Sequence, residues 1–487
     1  VAAILVGSVA GVRRRTKIIA TIGPASDSEA TLVALIEAGM DVARIGLAHE
    51  DLDRHLERYD RIRKASVEAD KPVGILVDLP GPKVRAGRFP EDGITLAEGD
   101  RLRLTPGFSA STAEVVEVGY ESIVSDVHVG DRLIFGDGTV AIEVEDKTDK
   151  DITAVVCNGG QLMGRPGIHI PSDRLRIASP TPEDLRLLDA FVERGVDMVA
   201  VSFIRSAHDI RRVGTEPHPR GPLVVAKIET RAAVQNLESI IEASGAIMVA
   251  RGDLGAELPI AEIPHLQKHI IRTCIALGRP AITATQMLES MIHAGTPTRA
   301  EVTDVANAVF DGTSVVMLSG ETAIGHDPVL TVRTMADIAR RADEEFDHAG
   351  WAPHLTELVH TEEGDADARV TDTMTMAAWR VAAEMNADAI LCMSRTGFTV
   401  RAMARFRPKT KILGYSPDER TVRQLTMSWG AIPQVMEQRG SNEAMVRAAI
   451  RQARESGHVR SGDTVVVLAG SDDRSRATDV LRLVRVP

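Results

Sequence analysis

Polar residues stand at the ends of short apolar runs in this 487-residue sequence, and their types fit one kind of chemistry. Arg44 lies within Val42–Leu47, with His49 just beyond it. Asp78 closes Val73–Leu79, and Arg85 follows shortly after. Lys227 and Glu229 end the run Leu223–Ile228, Asp253 follows Ala246–Ala250, and Thr285 ends Ala281–Thr285. Glu229 and Asp253 suit Mg²⁺, which takes few protein carboxylates and keeps positions open for substrate oxygens. Lys227 and Arg44 would neutralise a phosphoryl group in transfer, a reaction that asks a protein mainly for positioning and charge. Arg251-Gly252-Asp253 would set backbone amides beside the ion, where an anionic substrate docks. A single Lys or Glu at such a place is ordinarily solvated, and His49 alone says little. Convergence of the whole set is what carries the reading.

Such convergence needs the apolar runs to be neighbours. From Thr16 onward, short β-branched runs alternate with stretches of helical periodicity. The runs are Lys17–Ile22, Val42–Leu47, Val73–Leu79, Met198–Phe203, Leu223–Ile228, Ala246–Ala250, Ala281–Thr285 and Ser314–Leu318. Each is followed by a helical pattern, among them Asp27–Gly39, Ala232–Ala243 and Arg299–Phe310. Eight such units predict an α/β chain folded as a (β/α)₈ barrel, interrupted after its third strand. A doubly wound open sheet is the alternative, but it rarely needs eight consecutive units. In the barrel, the carboxyl ends of the strands form the active rim.

The expected divisions follow. Residues 1–12 are an extension expected to lack structure, and 13–84 with 172–353 make the catalytic barrel. Residues 85–171, rich in Gly and Asp with short alternating strands, form an inserted β-barrel-like lid. An acidic linker at 354–367 leads to a smaller α/β domain at 368–487. Val1–Val12 is apolar but too short to span a bilayer.

Composition sets the remaining bounds. Hydrophobic residues make 44% of the chain and aromatics only 3%, which suits sheets of Val, Ile, Ala and Leu under helices. The net charge is −12, with no basic patch interleaved with aromatics, so no nucleic-acid partner and no membrane are expected. Three separated cysteines in no C-x-x-C pair predict neither disulfide nor zinc, and a cytoplasmic setting.

Longer motifs add a resemblance. Thr16–Ser26 (TKIIATIGPAS), Ala226–Glu229 (AKIE), Val249–Gly255 (VARGDLG), Thr283–Met291 (TATQMLESM), Pro297–Val309 (PTRAEVTDVANAV) and Met317–Thr322 (MLSGET) occur in that order. This series resembles the pyruvate kinase family over nearly the whole chain from Arg14. The resemblance implies transfer of a phosphoryl group from phosphoenolpyruvate to ADP, giving pyruvate and ATP, with Mg²⁺ (or Mn²⁺) as cofactor. By position it implies Lys227 as the catalytic lysine, Glu229 and Asp253 as metal ligands, and Arg44 as the phosphate-binding arginine. It implies Thr285 as the residue linked to enolate protonation, and Gly252 and Asp253 as substrate contacts. Arg85, Arg14 and His49 match residues of the nucleotide and phosphate site. A homotetramer is implied as well.

Several positions depart from the family pattern. Where the family has Asn-Phe-Ser, whose side chains help bind K⁺, this chain has Gly46-Leu47-Ala48. Its Asp78-Leu79-Pro80-Gly81-Pro82-Lys83 places Lys83 where the family has Glu. The Lys83 ammonium is expected to stand in for K⁺, so that K⁺ is not required. Ser179–Asp184 (SPTPED) lacks the lysine the family often sets near the nucleotide, and Gly164–Pro171 (GRPGIHIP) is a looser version of the usual insert end. In the C-terminal domain, Ser394, Arg395, Thr396, Gly397 and Thr399 join a strand to a helix and make a candidate effector loop for a sugar phosphate. The alternative to a working kinase is a divergent paralogue that binds phosphoenolpyruvate for regulation.

Overall fold

The structure, a computed structural model, describes residues 13–48, 50–136, 140–351, 355, 366–437, 441–470 and 478–487. The expected extension 1–12 and most of the expected linker 354–367 lie outside the described residues.

Eight parallel strands close into a barrel in sequence order. They are β1 (Lys17–Thr21), β2 (Val42–Gly46), β3 (Gly74–Asp78), β4 (Met198–Val201), β5 (Leu223–Ile228), β6 (Ala246–Ala250), β7 (Ala281–Ala284) and β8 (Val315–Leu318). β1 pairs with both β2 and β8, which completes the ring. Successive residues of a strand face opposite sides of its sheet. Ile19, Val42, Leu76, Ala200, Val225, Met248, Ile282 and Val315 therefore share the barrel interior. Their neighbours Ile18, Ala43, Ile75, Val77 and Val199 pack outward under the helices.

The helices start on side-chain caps. Ser28 accepts from Thr31 N ahead of Glu29–Ala38, and Thr298 forms a capping box with Glu301 ahead of Arg299–Phe310. One expected helix differs. Ala232–Ala243 divides into Arg231–Gln235 and Leu237–Ala243 around Asn236, whose Nδ2 donates to the carbonyls of Arg205 and Ala232. A side-chain amide competing for backbone acceptors is enough to break so short a helix.

Between β3 and β4 the chain builds a six-stranded sheet and a two-stranded one around their own core of Leu104, Val118, Leu133, Phe135, Ile142 and others. The C-terminal part is a five-stranded sheet. Its order is Ala431–Val435, Lys411–Ser416, Ala389–Met393, Thr464–Ala469 and Val480–Arg485, the last strand antiparallel. The two outer strands are the ones the sequence pattern does not announce. Pro433 interrupts one and arginines the other, as suits edge strands.

This C-terminal sheet docks at the amino ends of the barrel strands. Met427 joins the barrel's interior cluster, Lys17 Nζ donates to Ala431 O at 2.8 Å, and Arg423 Nε donates to Asp197 Oδ1 at 2.8 Å. Gly74 opens β3 there because a Cβ would lie 2.4 Å from Met198 Cε and 2.9 Å from Arg423 O. The opposite rim, at the carboxyl ends, is left for chemistry.

Candidate active site

The two-residue period that fills the barrel with apolar side chains also fills its mouth with polar ones. One step beyond Ile19 is Thr21, beyond Val42 is Arg44, beyond Leu76 is Asp78, beyond Ala200 is Ser202, and beyond Val225 is Lys227. The inward register carries five strands' polar residues to one place.

Asp78 lies at the centre of this group, almost fully buried. Its Oδ2 accepts from Arg44 Nε at 2.8 Å, and its Oδ1 lies 3.3 Å from Lys227 Nζ. Burial pushes its pKa up, but the Lys227 and Arg44 charges overcome this and hold it down at about 2. Arg44 also donates from Nη1 to Thr21 Oγ1 at 2.9 Å, so both branches of its guanidinium are oriented. Lys227 Nζ donates to Ser202 Oγ at 2.8 Å. Burial works against the Lys227 charge, yet Asp78, Glu229 and Asp253 together raise its pKa. The site thus keeps the ammonium charged.

Glu229 is fully buried just beyond β5, with Oε2 accepting from Phe203 N at 2.6 Å. Its Oε1 lies 2.8 Å from Lys227 Nζ, but not in hydrogen-bond geometry, and has no hydrogen-bond partner among the described residues. Burial raises the Glu229 pKa to about 7; Lys227 opposes the shift and Asp253 adds to it. Among the described residues no group of three His, Cys, Asp or Glu side chains is placed to hold a metal ion. A buried carboxylate whose Oε1 meets only the Lys227 ammonium, next to a second carboxylate, suits a hard cation that completes its shell with other oxygens.

Asp253 and Gly252 sit in the first turn of the short helix Arg251–Glu257. Thr285, directly after β7, has φ of 65°, a left-handed conformation unusual for a β-branched residue. Contacts on every side hold it there. Gly252 N donates to Thr285 Oγ1 at 3.0 Å, and Arg251 Nη2 donates to Thr285 O at 2.6 Å. Arg251 is itself anchored on Asp304 at 2.7 Å. Strain kept in place this firmly is common at functional positions.

The remaining expected site residues fall elsewhere. Arg14 lies ahead of β1 at the amino ends of the strands, bonded to Gly39 O and Asp41, on the rim opposite Lys227. Arg85 donates to Arg165 O inside the insert. His49 lies outside the described residues. Lys83 is solvent-exposed as a residue. Its pKa is lowered by desolvation and the Lys227 charge, with Asp253, Asp78 and Glu229 opposing, which puts the ammonium within the field of the site. Because the side chain is exposed, water screens those charges and the shift carries little energy.

Ser179–Asp184 has a structural use. Asp184 is buried, closes a capping box with Thr181, and accepts from Gly81 N at 3.1 Å, fixing the turn that leads to Lys83. In the C-terminal domain, Gly397 takes φ of 75° where a Cβ would meet Leu425. Thr399 is buried, with Oγ1 against Thr478 Oγ1 at 2.5 Å, while Ser394 and Thr396 remain in the turn before it. Three participants went unread in the sequence: Ser202, Thr21 and Glu257. The inward register could have found the first two. Glu257 accepts from Ser172 N and Oγ at 2.8 and 2.9 Å and so ties the end of the insert to the barrel, a contact with no local signal.

Comparison with known proteins is consistent along the chain. Residues 13–332 match the family profile described as pyruvate kinase, barrel domain, and 372–484 match pyruvate kinase, alpha/beta domain. A pyruvate kinase of Bacillus licheniformis is 36% identical over 475 residues, covering 96% of this chain and 80% of that protein. One from Clostridium acetobutylicum is 35% identical over 477 residues, covering 97% and 99%. The crystal structure of a pyruvate kinase from Cryptosporidium parvum superposes with a TM-score of 0.88 at 31% identity, covering 97% of this chain and 96% of that one.

Proposed function

The chain belongs to the pyruvate kinase family of phosphotransferases, and on that premise we propose that it transfers the phosphoryl group of phosphoenolpyruvate to ADP, giving pyruvate and ATP. The observation that carries this reading is Lys227, largely shielded from solvent and held between Asp78, Ser202 and Glu229. Phosphoryl transfer needs positive charge held in position before the reaction begins. Lys227 would face the transferring group, and Arg44, oriented by Asp78 and Thr21, would bind the phosphate. Glu229 and Asp253 would hold Mg²⁺ (or Mn²⁺), which when bound supplies further positive charge to substrate oxygens. Gly252 and Thr285 would complete the substrate contacts. Loss of the phosphoryl group leaves the enolate, and the Thr285 hydroxyl would assist its protonation to the ketone. That last step draws the reaction towards ATP.

Arg85 and His49 are the proposed nucleotide contacts, with residues 85–171 acting as a lid hinged where Glu257 holds Ser172. The absence of side-chain oxygens at Gly46-Leu47-Ala48, with Lys83 in the field of Asp78 and Glu229, supports a K⁺-independent enzyme. Among the described residues no helix is long and apolar enough to cross a membrane. A cytoplasmic homotetramer, with Ser394–Thr399 as a phosphorylated-effector loop, completes the proposal.

The test is pyruvate release from phosphoenolpyruvate, ADP and Mg²⁺, with K⁺ or an inert cation at equal ionic strength. Equal turnover in both supports the kinase and the Lys83 substitution. Turnover that needs K⁺ keeps the kinase and removes the Lys83 reading. No turnover, with Lys227→Met behaving identically, leaves the binding-only paralogue.

A further inference from the structure

A small crevice, partly open to solvent, lies where the barrel floor meets the C-terminal domain. Four arginines line it, Arg279, Arg401, Arg405 and Arg407, together with Ser428 and Trp429. No lining residue is acidic. Two of the guanidiniums are committed. Arg405 pairs with Asp372 at 2.7 Å. Arg407 donates to the carbonyls of Gly312 and Thr313 and lies 4.8 Å from the Trp429 ring centroid.

Arg279 and Arg401 are different. Neither has an ion-pair partner among the described residues, although the Glu242 charge reaches Arg279 from a distance. Arg279 Nε and Arg401 Nη1 are buried without hydrogen-bond acceptors, as are Arg405 Nε and Arg407 Nε and Nη1. Arg401 is only 5% exposed. Ser428 Oγ and Trp429 Nε1 are also buried and unpartnered beside them. The two guanidiniums repel one another across the junction, and burial with this repulsion lowers the Arg401 pKa to about 9. His218 stands in the same field, its pKa lowered to about 3 by burial and then by Arg401 and Arg279, so it stays neutral and offsets nothing. Water could accept from the idle donors, but it cannot cancel two like charges. Buried charges are normally paired, and planar guanidiniums with free N–H groups match the oxygens of a phosphate.

We propose that this crevice binds a small phosphate-type oxyanion, free phosphate or the phosphate of a monoester, held between Arg279 of the barrel and Arg401 of the C-terminal domain. The site is distinct from the Ser394–Thr399 turn, although Arg401 Nη2 donates to Thr396 O at 3.0 Å and so touches it from behind. Arg279 directly precedes Pro280 and β7, at whose far end stands Thr285. An anion here would clasp the two domains and act on the strand that leads to the mouth.

The experiment titrates inorganic phosphate into the full-length protein against chloride at equal ionic strength. Melting temperature and tryptophan fluorescence are the readouts, since Trp429 is one of only three tryptophans. A saturable rise of about 2 °C is expected, with a fluorescence change that Trp429→Phe removes without removing the rise. The response should persist in Lys227→Met and in the Ser394→Ala/Thr396→Ala variant. It should disappear in Arg279→Met/Arg401→Met. No response, or one lost with Lys227 or with Ser394 and Thr396, overturns the site. Should the double Met variant fail to fold, the Trp429→Phe comparison and the two retained responses still decide. A simple sugar phosphate giving a larger shift at equal concentration identifies a monoester as the better ligand. No gain identifies free phosphate, and either result keeps the site.

Discussion

Lys227 Nζ donates to Ser202 Oγ at 2.8 Å, and the Ser202 hydroxyl in turn donates to Leu79 O at the same distance. The hydroxyl can therefore only accept from the ammonium, and it sets the direction in which Lys227 points. A hydrogen bond to a charged group contributes about 1.5–3 kcal/mol. Ser202→Ala is expected to lower kcat at least about tenfold, while the KM for ADP changes little. A Ser202→Ala enzyme with unchanged kcat would remove Ser202 from the positioning of Lys227.

Lys83 is exposed but lies in the field of the mouth carboxylates. If it replaces a monovalent cation, Lys83→Met should lose most of its turnover in K⁺-free buffer. K⁺ should not restore it, because Gly46, Leu47 and Ala48 offer no side-chain oxygen. Melting temperature should stay within about a degree, as for other exposed residues. Unaltered kcat in Lys83→Met, with or without K⁺, counts against the role.

His218 gives the junction a pH dependence with a definite sign. Its folded pKa is lowered to about 3 by burial and by Arg401 and Arg279, against an ordinary 6.5. Below 6.5 the unfolded chain binds a proton that the folded one refuses, so stability falls as pH falls from 6.5 towards 3. Between pH 7 and 5 this amounts to roughly 2 kcal/mol. Urea melts at the two pH values should show His218→Gln losing less stability than the parent chain on acidification. Parallel losses in both proteins would place the acid sensitivity elsewhere.

Gly74 faces both the barrel interior and the C-terminal domain, where a Cβ would lie 2.4 Å from Met198 Cε and 2.7 Å from Thr426 Oγ1. Overpacking at such a point costs typically about 1–3 kcal/mol. Gly74→Ala should lower the melting temperature, and Gly74→Ala/Met198→Ala should recover part of the loss by vacating the nearest clash. The absence of any recovery would mean the backbone of Arg423, also 2.9 Å away, dominates.

Much of the barrel could be read directly from the chain. Leu223–Ile228 and Ala246–Ala250 fold with the same bounds as their apolar runs, because strands buried on both faces leave an uninterrupted hydrophobic signature. The mouth residues Arg44, Asp78, Lys227 and Glu229 were legible only as a set, since one polar residue closing such a run is ordinarily solvated but the barrel brings all four to one rim. The edge strands Ala431–Val435 and Val480–Arg485 were not, since half of each edge meets solvent and Pro433 or arginines blur the pattern.

Sequence alone determined the kinds of group available and the strand that bears each one, because propensity and period are local properties of the chain. Tertiary structure decided which of them meet. It sent Arg14 to the far rim, gave Asp78 to both Arg44 and Lys227, set Glu229 Oε1 against Lys227 Nζ, and put Arg279 and Arg401 on one crevice with no acidic lining residue. Burial and charge pairing depend on residues distant in sequence, so they exist only once the barrel has closed and the C-terminal domain has docked on its floor.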